Sequence, residues 1–376
     1  MPKNEAFWNP YRLIGPTEEV RRYEPQTHEK YQGFGGKIQG IARAITPIFV
    51  GGRDGNTFRT KVADTKVDAI PATSFKGMLR NLVEVVGKGC NVVAGDGVKN
   101  ACKSDKQLCM ACAMFGMAQR DENSKNVVFP GKVFFQDLVL RQKSGKTPSR
   151  GTLTIRPGAP QPKHEAFYSD RRRRKFYFHQ PNIWTNAPFK EDSKLNRKIK
   201  YLPAGVEFDF ALTFYNLTLE ELGVLLYCLE LEKGIEVKVE CPDQSLKGKK
   251  TELTLSGDLH HKIGGARPYG LGSLALEFEA KREDFYRCQD RYRDFKTSGS
   301  ITEEEWDRIR QEKEKYHLGG EYDSQLLKQL RAMLLYAEED PRKFQYPDLD
   351  WFLKNKEVGL KEFLSSIRRL NREKST

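Results

Sequence analysis

Apolar positions in this chain alternate in several short runs, and between those runs they recur at helical spacing. Val206, Phe208, Phe210, Leu212 and Phe214 alternate with Glu207, Asp209, Ala211 and Thr213, the period of a strand with one buried and one wet face. Leu274, Leu276 and Phe278 alternate with Ala275, Glu277 and Glu279 in the same way. A first strand is predicted over about residues 37–49, closed by Pro47 and Gly51-Gly52, and another over 127–140. Phe75, Met78, Leu79, Leu82 and Val86 form an apolar stripe at i, i+3, i+4, i+7 and i+11, which predicts a helix entered through Pro71-Ala72-Thr73-Ser74. Thr218 and Glu221 make a capping box for a second helix reaching Glu232.

The order is strand, helix, strand, then strand, helix, strand. That is the split βαβ pattern of an α+β, ferredoxin-like domain enlarged by two insertions. The expected organisation is an irregular N-terminal arm (1–36), a βαββαβ core (37–280) and a helical C-terminal extension (281–376). Inside the core lie a cysteine-rich insertion (87–126) and a basic insertion (141–200). The extension has its own capping box, Thr302 with Glu305, and its 21 cations nearly cancel 20 anions, which suits salt-bridged helices rather than a binding tail. With 376 residues, 38% hydrophobic and 31% charged, the chain can bury a sizeable core. No apolar run approaches a membrane span, and residues 1–8 lack a signal-peptide core, so a soluble, cytoplasmic protein with no membrane partner is expected.

Charge changes the picture. The net charge is +13, yet residues 141–200 hold 16 Lys/Arg against 4 Asp/Glu, while elsewhere 48 cations meet 47 anions. The segment includes Arg171, Arg172, Arg173, Arg174 and Lys175, followed by Phe176, Tyr177, Phe178 and His179. Cations that neutralise phosphates beside rings that stack on unpaired bases suit a nucleic-acid strand. A solvated loop whose charge only aids solubility is the competing reading.

Four of the seven cysteines, Cys90, Cys102, Cys109 and Cys112, fall close together, the last two as Cys-Met-Ala-Cys. Structural zinc takes four tetrahedral thiolates, and a CxxC knuckle supplies two from one turn. In an intracellular setting metal is favoured over disulfides, and the motif lacks the context of a redox CxxC.

Several loops could do chemistry. Lys76 and Arg80, four apart on one helix face, with Gly77 permitting close approach and free amides at the helix start, would make a phosphate-backbone clamp. Residues 261–273 place Gly264, Gly265, Gly270 and Gly272 among Lys262 and Arg267 directly before a strand. Glycine at this density lets backbone approach a phosphate or another backbone, and a plain tight hairpin is the alternative. Asp54, Asp64 and Asp68 lie between Gly52 and Pro71, where a carboxylate could hold a divalent ion or orient a hydroxyl nucleophile. His260 and His261 invite acid–base cleavage of RNA, but neighbours in a strand point to opposite sides. No nucleophile elbow, HExxH or Walker motif is present.

Taken in order, four elements carry a resemblance. They are Thr46-Pro47-Ile48-Phe49-Val50-Gly51-Gly52, then Ile70-Pro71-Ala72-Thr73-Ser74-Phe75-Lys76-Gly77-Met78-Leu79-Arg80, then Cys109-Met110-Ala111-Cys112-Ala113-Met114-Phe115-Gly116. The last is Leu202-Pro203-Ala204-Gly205 through Glu221-Leu222-Gly223 and the glycine loop. Over about residues 37–280 the chain resembles the RAMP superfamily (repeat-associated mysterious proteins) of CRISPR systems, in particular the backbone subunits of type III effector complexes. Ala72 and Thr73 depart from the family's Ile-Pro-Gly-Ser-Ser-x-Lys-Gly-x-x-Arg pattern.

The resemblance implies an RNA-recognition-like fold whose first helix and glycine loop grip the CRISPR guide RNA. It also implies a thumb that interrupts guide–target pairing, here assigned to 141–200, and partnership with target RNA, other RAMP-type subunits and a large subunit. In cleaving members an aspartate between the first strand and first helix supports Mg²⁺-dependent (or other divalent-ion) cutting of target RNA by in-line attack of a 2′-hydroxyl. Asp64 is the first choice here and Asp54 the second, although the loop aligns with the family's aspartate only after a shift, so an inactive structural subunit stays open. A stand-alone repeat-processing endoribonuclease and a non-catalytic, zinc-stabilised RNA-binding module are the alternatives.

Overall fold

This computed structural model describes residues 9–15, 19–52, 55–90, 101–120, 125–142, 148–155, 173–181, 196–242, 250–290, 299–342 and 344. Six elements carry its centre. Strand β1 (Phe34–Ala44) leads to helix α1 (Ala72–Val86). Strands β2 (Leu138–Leu140) and β3 (Glu207–Leu217) follow, then helix α2 (Leu219–Glu230) and strand β4 (Ser273–Glu277). The strands hydrogen-bond in the order β4-β1-β3-β2, every pair antiparallel. This is the ferredoxin-like arrangement that the pattern predicts, with the two middle strands drawn from different βαβ halves.

The alternation decides which face is buried. Phe208, Phe210, Leu212 and Phe214 of β3 and Ile38, Ala42 and Ala44 of β1 join Phe75, Leu79, Leu82 and Val83 of α1 in the main core. The intervening Lys37, Gln39, Arg43, Asp209 and Thr213 are exposed on the other face.

Three elements differ from the expectation. The strand over 127–140 is broken into Asn126–Phe129, Val133–Phe135 and Leu138–Leu140. Pro130 cannot donate to a ladder, and Asp137 turns aside to accept a hydrogen bond from the Ala72 amide at 2.8 Å. The polar stretch before α1 is a hairpin, Arg59–Val62 with Thr65–Ile70, at the edge of the sheet; its exposed outer strand has no apolar alternation to reveal it. A second hairpin, Ile235–Pro242 with Lys250–Leu259, has such alternation in Ile235, Val237 and Val239, a signal the sequence does contain.

Of the C-terminal extension, residues 345–376 lie outside the described residues. Its described part forms helices at Glu303–Glu314, with the expected Thr302–Glu305 capping box, and at Gln325–Leu334. It also adds a short strand, Phe285–Arg287, to β1. A Cβ on Gly223 of α2 would stand 2.6 Å from the Glu312 side chain, so this glycine allows the helix at 303–314 to sit against α2. Among the described residues no helix is long and apolar enough to cross a membrane.

Glu221 fixes the start of α2. Besides closing the capping box with Thr218, its carboxylate accepts hydrogen bonds from Lys132 Nζ at 2.6 and 2.8 Å and from the Tyr23 hydroxyl at 2.8 Å. Both Lys132 and Glu221 side chains are fully buried. Removing one member of such a pair leaves an uncompensated charge in a low-dielectric interior. Lys132→Met is therefore expected to destabilise the fold by about 3–5 kcal/mol, measured as the shift in urea-unfolding free energy.

Candidate nucleic-acid interface and cysteine centre

The cysteine knuckle opens a short helix, Met110–Phe115, with Cys109 as its N-cap. The Sγ atoms of Cys90, Cys102, Cys109 and Cys112 all lie within 4.8 Å of one another and all four residues are buried. Cys90 and Cys112 sulfurs are 3.6 Å apart, close to the roughly 3.8 Å separating ligands of a tetrahedral zinc–thiolate centre with 2.3 Å bonds. Hydrogen bonding among the four sulfurs, to Cys102 first and then Cys109, pushes the Cys90 and Cys112 thiols up and lowers Cys102 and Cys109, the signature of closely packed, interacting thiols. The donor set and spacing fit structural zinc.

Around this centre runs a chain of buried charge. Arg80 donates from Nε to Glu84 Oε1 at 3.0 Å, from Nη1 to the Gly116 carbonyl at 2.7 Å and from Nη2 to Cys112 Sγ at 3.3 Å. The other oxygen of Glu84 accepts from Arg174 Nε at 3.0 Å, and Arg174 also donates to the Gly89 and Cys90 carbonyls at 3.0 and 2.6 Å. This corrects the geometry expected of two cations. Arg80 does not stand beside Lys76 as a free clamp; its guanidinium turns inward to the thiolates. Arg174 is buried, tying the basic insertion to the knuckle. Arg173 is half-buried, while Arg171 and Arg172 lie outside the described residues.

The outward face of α1 is different. Lys76 is half-buried, and no hydrogen bond or ion pair engages it among the described residues; burial, then the Arg80 charge, lowers its pKa. Gly77 is exposed, with nothing within 4 Å of where a Cβ would stand. Glycine in a helix interior costs about 1 kcal/mol relative to alanine, and nothing in the packing around Gly77 requires it. The start of α1 is not an open anion site, because the Asp137 carboxylate already takes the Ala72 amide.

The glycine loop folds back on the segment after β1. The Gly265 amide donates to the Phe49 carbonyl at 2.7 Å and the Gly272 amide to that of Pro47 at 2.9 Å. A Cβ on Gly272, where φ is +87°, would stand 2.0 Å from the Ile263 carbonyl oxygen, and one on Gly264 2.4 Å from that of Phe49. These two glycines serve backbone-to-backbone approach, the role of a plain tight hairpin. Gly270 is buried at the end of a 3₁₀ turn, Arg267–Tyr269.

Lys262 is also buried. It donates to Ser273 Oγ at 3.1 Å, and that hydroxyl lies 2.8 Å from His179 Nδ1. Burial, then the Arg267 charge, pushes Lys262 down to about 7. Its ammonium faces the interior rather than a surface phosphate.

Arg267 of the same loop is half-buried, and the structure brings it to the basic insertion. The strand Arg174–Tyr177 pairs with an N-terminal strand, Tyr11–Ile14. Arg267 lies 4.5 Å over the Tyr177 ring, and Lys175 lies 3.7 Å over Tyr11 and 5.1 Å from Tyr177. Gln180 donates to the Pro268 carbonyl at 3.0 Å. At the base of the insertion Gly151–Ile155 pairs with Arg197–Tyr201, and Leu153, Ile155 and Ile199 share a small apolar core with Phe49, Tyr269 and Leu271. The glycine loop, the segment after β1 and the described parts of the insertion thus pack together, with cations and rings along one edge.

Asp64 is fully exposed at the tip of the edge hairpin, 3.1 Å from Lys61. Asp54 lies outside the described residues. Asp68 is buried, bonded to the Thr57 hydroxyl and to Arg150 at 2.6 Å. Among the described residues the four cysteines form the only group of three or more ligating side chains placed to hold a metal ion, and Asp64 is not part of it. His261 is buried, its Nε2 2.8 Å from the Cys228 carbonyl oxygen, and burial pushes it down to about 4. His260 turns the other way, toward Tyr336. Of the two histidines on which the endoribonuclease alternative relies, His261 is buried and His260 half-buried.

The family profile of the RAMP superfamily matches residues 41–275. The chain belongs to the RAMP superfamily. No curated protein matches it by sequence. Among solved structures it is similar to a chain of a type IV-B CRISPR complex, with a TM-score of 0.36 and 16% identity, covering 65% of this chain and 91% of that one. The matched range takes in α1 with Lys76 and Gly77, the knuckle and the glycine loop of this RAMP protein. Glu84 and Ser273 are residues of these sites that the sequence does not single out for a role. A lone glutamate on a helix and one serine after a glycine carry no pattern, and only their buried partners give them a function in the site.

Elemental analysis of the purified chain is expected to return one zinc ion. Arg80→Ala, which removes the guanidinium at Cys112, is expected to weaken its retention roughly 10–100-fold in chelator competition. Lys262 supplies a pH prediction. Its folded pKa lies below its unfolded value, so the unfolded chain binds more protons between about pH 7 and 10. Unfolding free energy should therefore rise across that window relative to a Lys262→Met variant, measured by urea titration at each pH.

Proposed function

We propose that this RAMP protein is a guide-RNA-binding backbone subunit of a multisubunit CRISPR ribonucleoprotein, of the type III class that its motifs resemble. The observation that carries the reading is the edge where Arg267 of the glycine loop meets Tyr177 and Lys175 of the basic insertion. Cations that pair with phosphate, interleaved with rings, suit a single strand. The outward face of α1 offers a second contact: Lys76 provides charge, and the bare helix surface at Gly77 lets a sugar–phosphate backbone lie against it. The knuckle, clamped by Arg80, Glu84 and Arg174, acts as scaffold and places the insertion beside the glycine loop. In this reading the insertion is the thumb-like element, and target RNA, other RAMP-type subunits and a large subunit are the partners.

A second reading adds cleavage of target RNA, favoured by the exposed position of Asp64 on a projecting hairpin with Arg59, Lys61 and Lys66.

Two sets of substitutions test guide binding. Lys175→Ala with Arg267→Ala is expected to weaken guide binding and to lower the slope of log K against log salt by about 0.7 for each phosphate no longer neutralised; an unchanged slope would remove this edge from the interface. Gly77→Ala is expected to raise the stability of the free protein by about 0.5–1 kcal/mol while weakening guide retention, a combination that a purely structural glycine would not give. For cleavage, Asp64→Ala in the assembled complex is expected to leave guide retention unchanged. Loss of one cut in the target RNA with Mg²⁺ would assign the reaction to this chain.

A further inference from the structure

The sheet face turned away from α1 and α2 carries an aromatic platform that the guide-binding reading does not use. Thr213 of β3 stands directly across from Lys37 of β1 on one side and from Phe134 of the strand Val133–Phe135 on the other. All three are exposed, Phe134 to 50%. Phe134 is stacked against Tyr215, with centroids 5.9 Å apart and planes 15° from parallel. Tyr215 in turn contacts His28 at 5.1 Å and Tyr31 at 6.5 Å, and Tyr31 is itself 42% exposed. The next residue, Phe135, points the opposite way and packs against Phe75 and Phe115 of the core, so the platform has a rigid backing.

Half-exposing a phenylalanine and a tyrosine side by side gives up burial that folding would otherwise favour. Their geometry suits a flat occupant. We infer that Phe134 and Tyr215 stack unpaired bases of an RNA strand, with Lys37 meeting the adjoining phosphate. Lys37 supplies the cation of this row; the nearest acid along β3, Asp209, is paired with Arg141 at 3.0 Å. Stacking on rings is tolerant of sequence, because every base has a π-face, so the ligand class is single-stranded RNA without a fixed sequence. A four-stranded antiparallel sheet with rings on its open face is a known geometry for such binding. This surface lies on the face opposite α1 and is separate from the Lys175–Arg267 edge.

The test uses the full chain and a fluorescently labelled, unstructured ten-residue oligouridine, read by anisotropy at fixed salt. Phe134→Leu keeps an apolar side chain and removes the ring; it is expected to weaken binding about tenfold, whereas Phe134→Trp is expected to retain it. The loss should be the same factor in a Lys175→Ala/Arg267→Ala background, since separate surfaces contribute additively. That background distinguishes the two readings: failure of the edge variants to weaken binding would count against the guide interface and leave the platform standing. Lys37→Ala, which disturbs no core packing, should lower the salt slope by about 0.7 and keeps the test open if the ring variants fold poorly. Wild-type affinity in Phe134→Leu, or equal losses in the Leu and Trp variants, would overturn the inference. So would loss of self-association in Phe134→Leu with RNA affinity unchanged, an outcome that assigns the patch to a protein partner.

Discussion

The buried carboxylate of Glu84 is the constraint on which the functional half of this molecule depends. It sits in α1 between two guanidiniums, Arg80 and Arg174, each 3.0 Å away. Arg80 continues to a cysteine of the metal-type cluster, and Arg174 to the carbonyls of Gly89 and Cys90. One side chain thus joins the first helix, the knuckle and the strand that begins the aromatic part of the basic insertion. Buried charges of this kind are costly unless each is paired and hydrogen-bonded, and here the pairing is distributed over segments far apart in sequence. Misplacing any one of them would strand a charge in the interior, so the network selects one relative placement of the three.

That placement explains why the cationic edge lies where it does. Arg174 is held at α1, and three residues further along the same strand Tyr177 is reached by Arg267 of the glycine loop. The glycines of that loop are needed first for folding, because Gly264 and Gly272 bring backbone within reach of Phe49 and Ile263. They also hold the 3₁₀ turn that carries Arg267. Lys262, which sequence places among the RNA-facing cations, instead joins Ser273 and His179 inside. The division of labour is between buried cations that position segments and a smaller set, Lys76, Lys175 and Arg267, placed toward solvent or ring faces.

The two sides of the sheet have different tasks. Helices α1 and α2 cover one side and build the core, while the other keeps Lys37, Thr213, Phe134 and part of Tyr215 in solvent. Strand alternation makes this division unavoidable: every ring that faces the core has a neighbour facing out. Where that neighbour is itself aromatic, as Phe134 is beside Phe135, the outer face carries an exposed ring.

Much of the architecture was legible in the sequence because it rests on periodicity, which is local. The alternation in β3, the stripe of α1 and the Thr218–Glu221 box each follow from residues a few positions apart, and their order led to the ferredoxin-like core. The four cysteines were legible for a similar reason, since ligand chemistry restricts the residue types that can gather. Tertiary structure alone decided which cations are available. Nothing local distinguishes Arg80 from Lys76; the difference is whether Glu84 and a cysteine sulfur await the end of the side chain. Chain pattern sets which face a residue occupies, but the environment of a charge is set by segments distant in sequence, and for a charge that environment is the larger part of its energy.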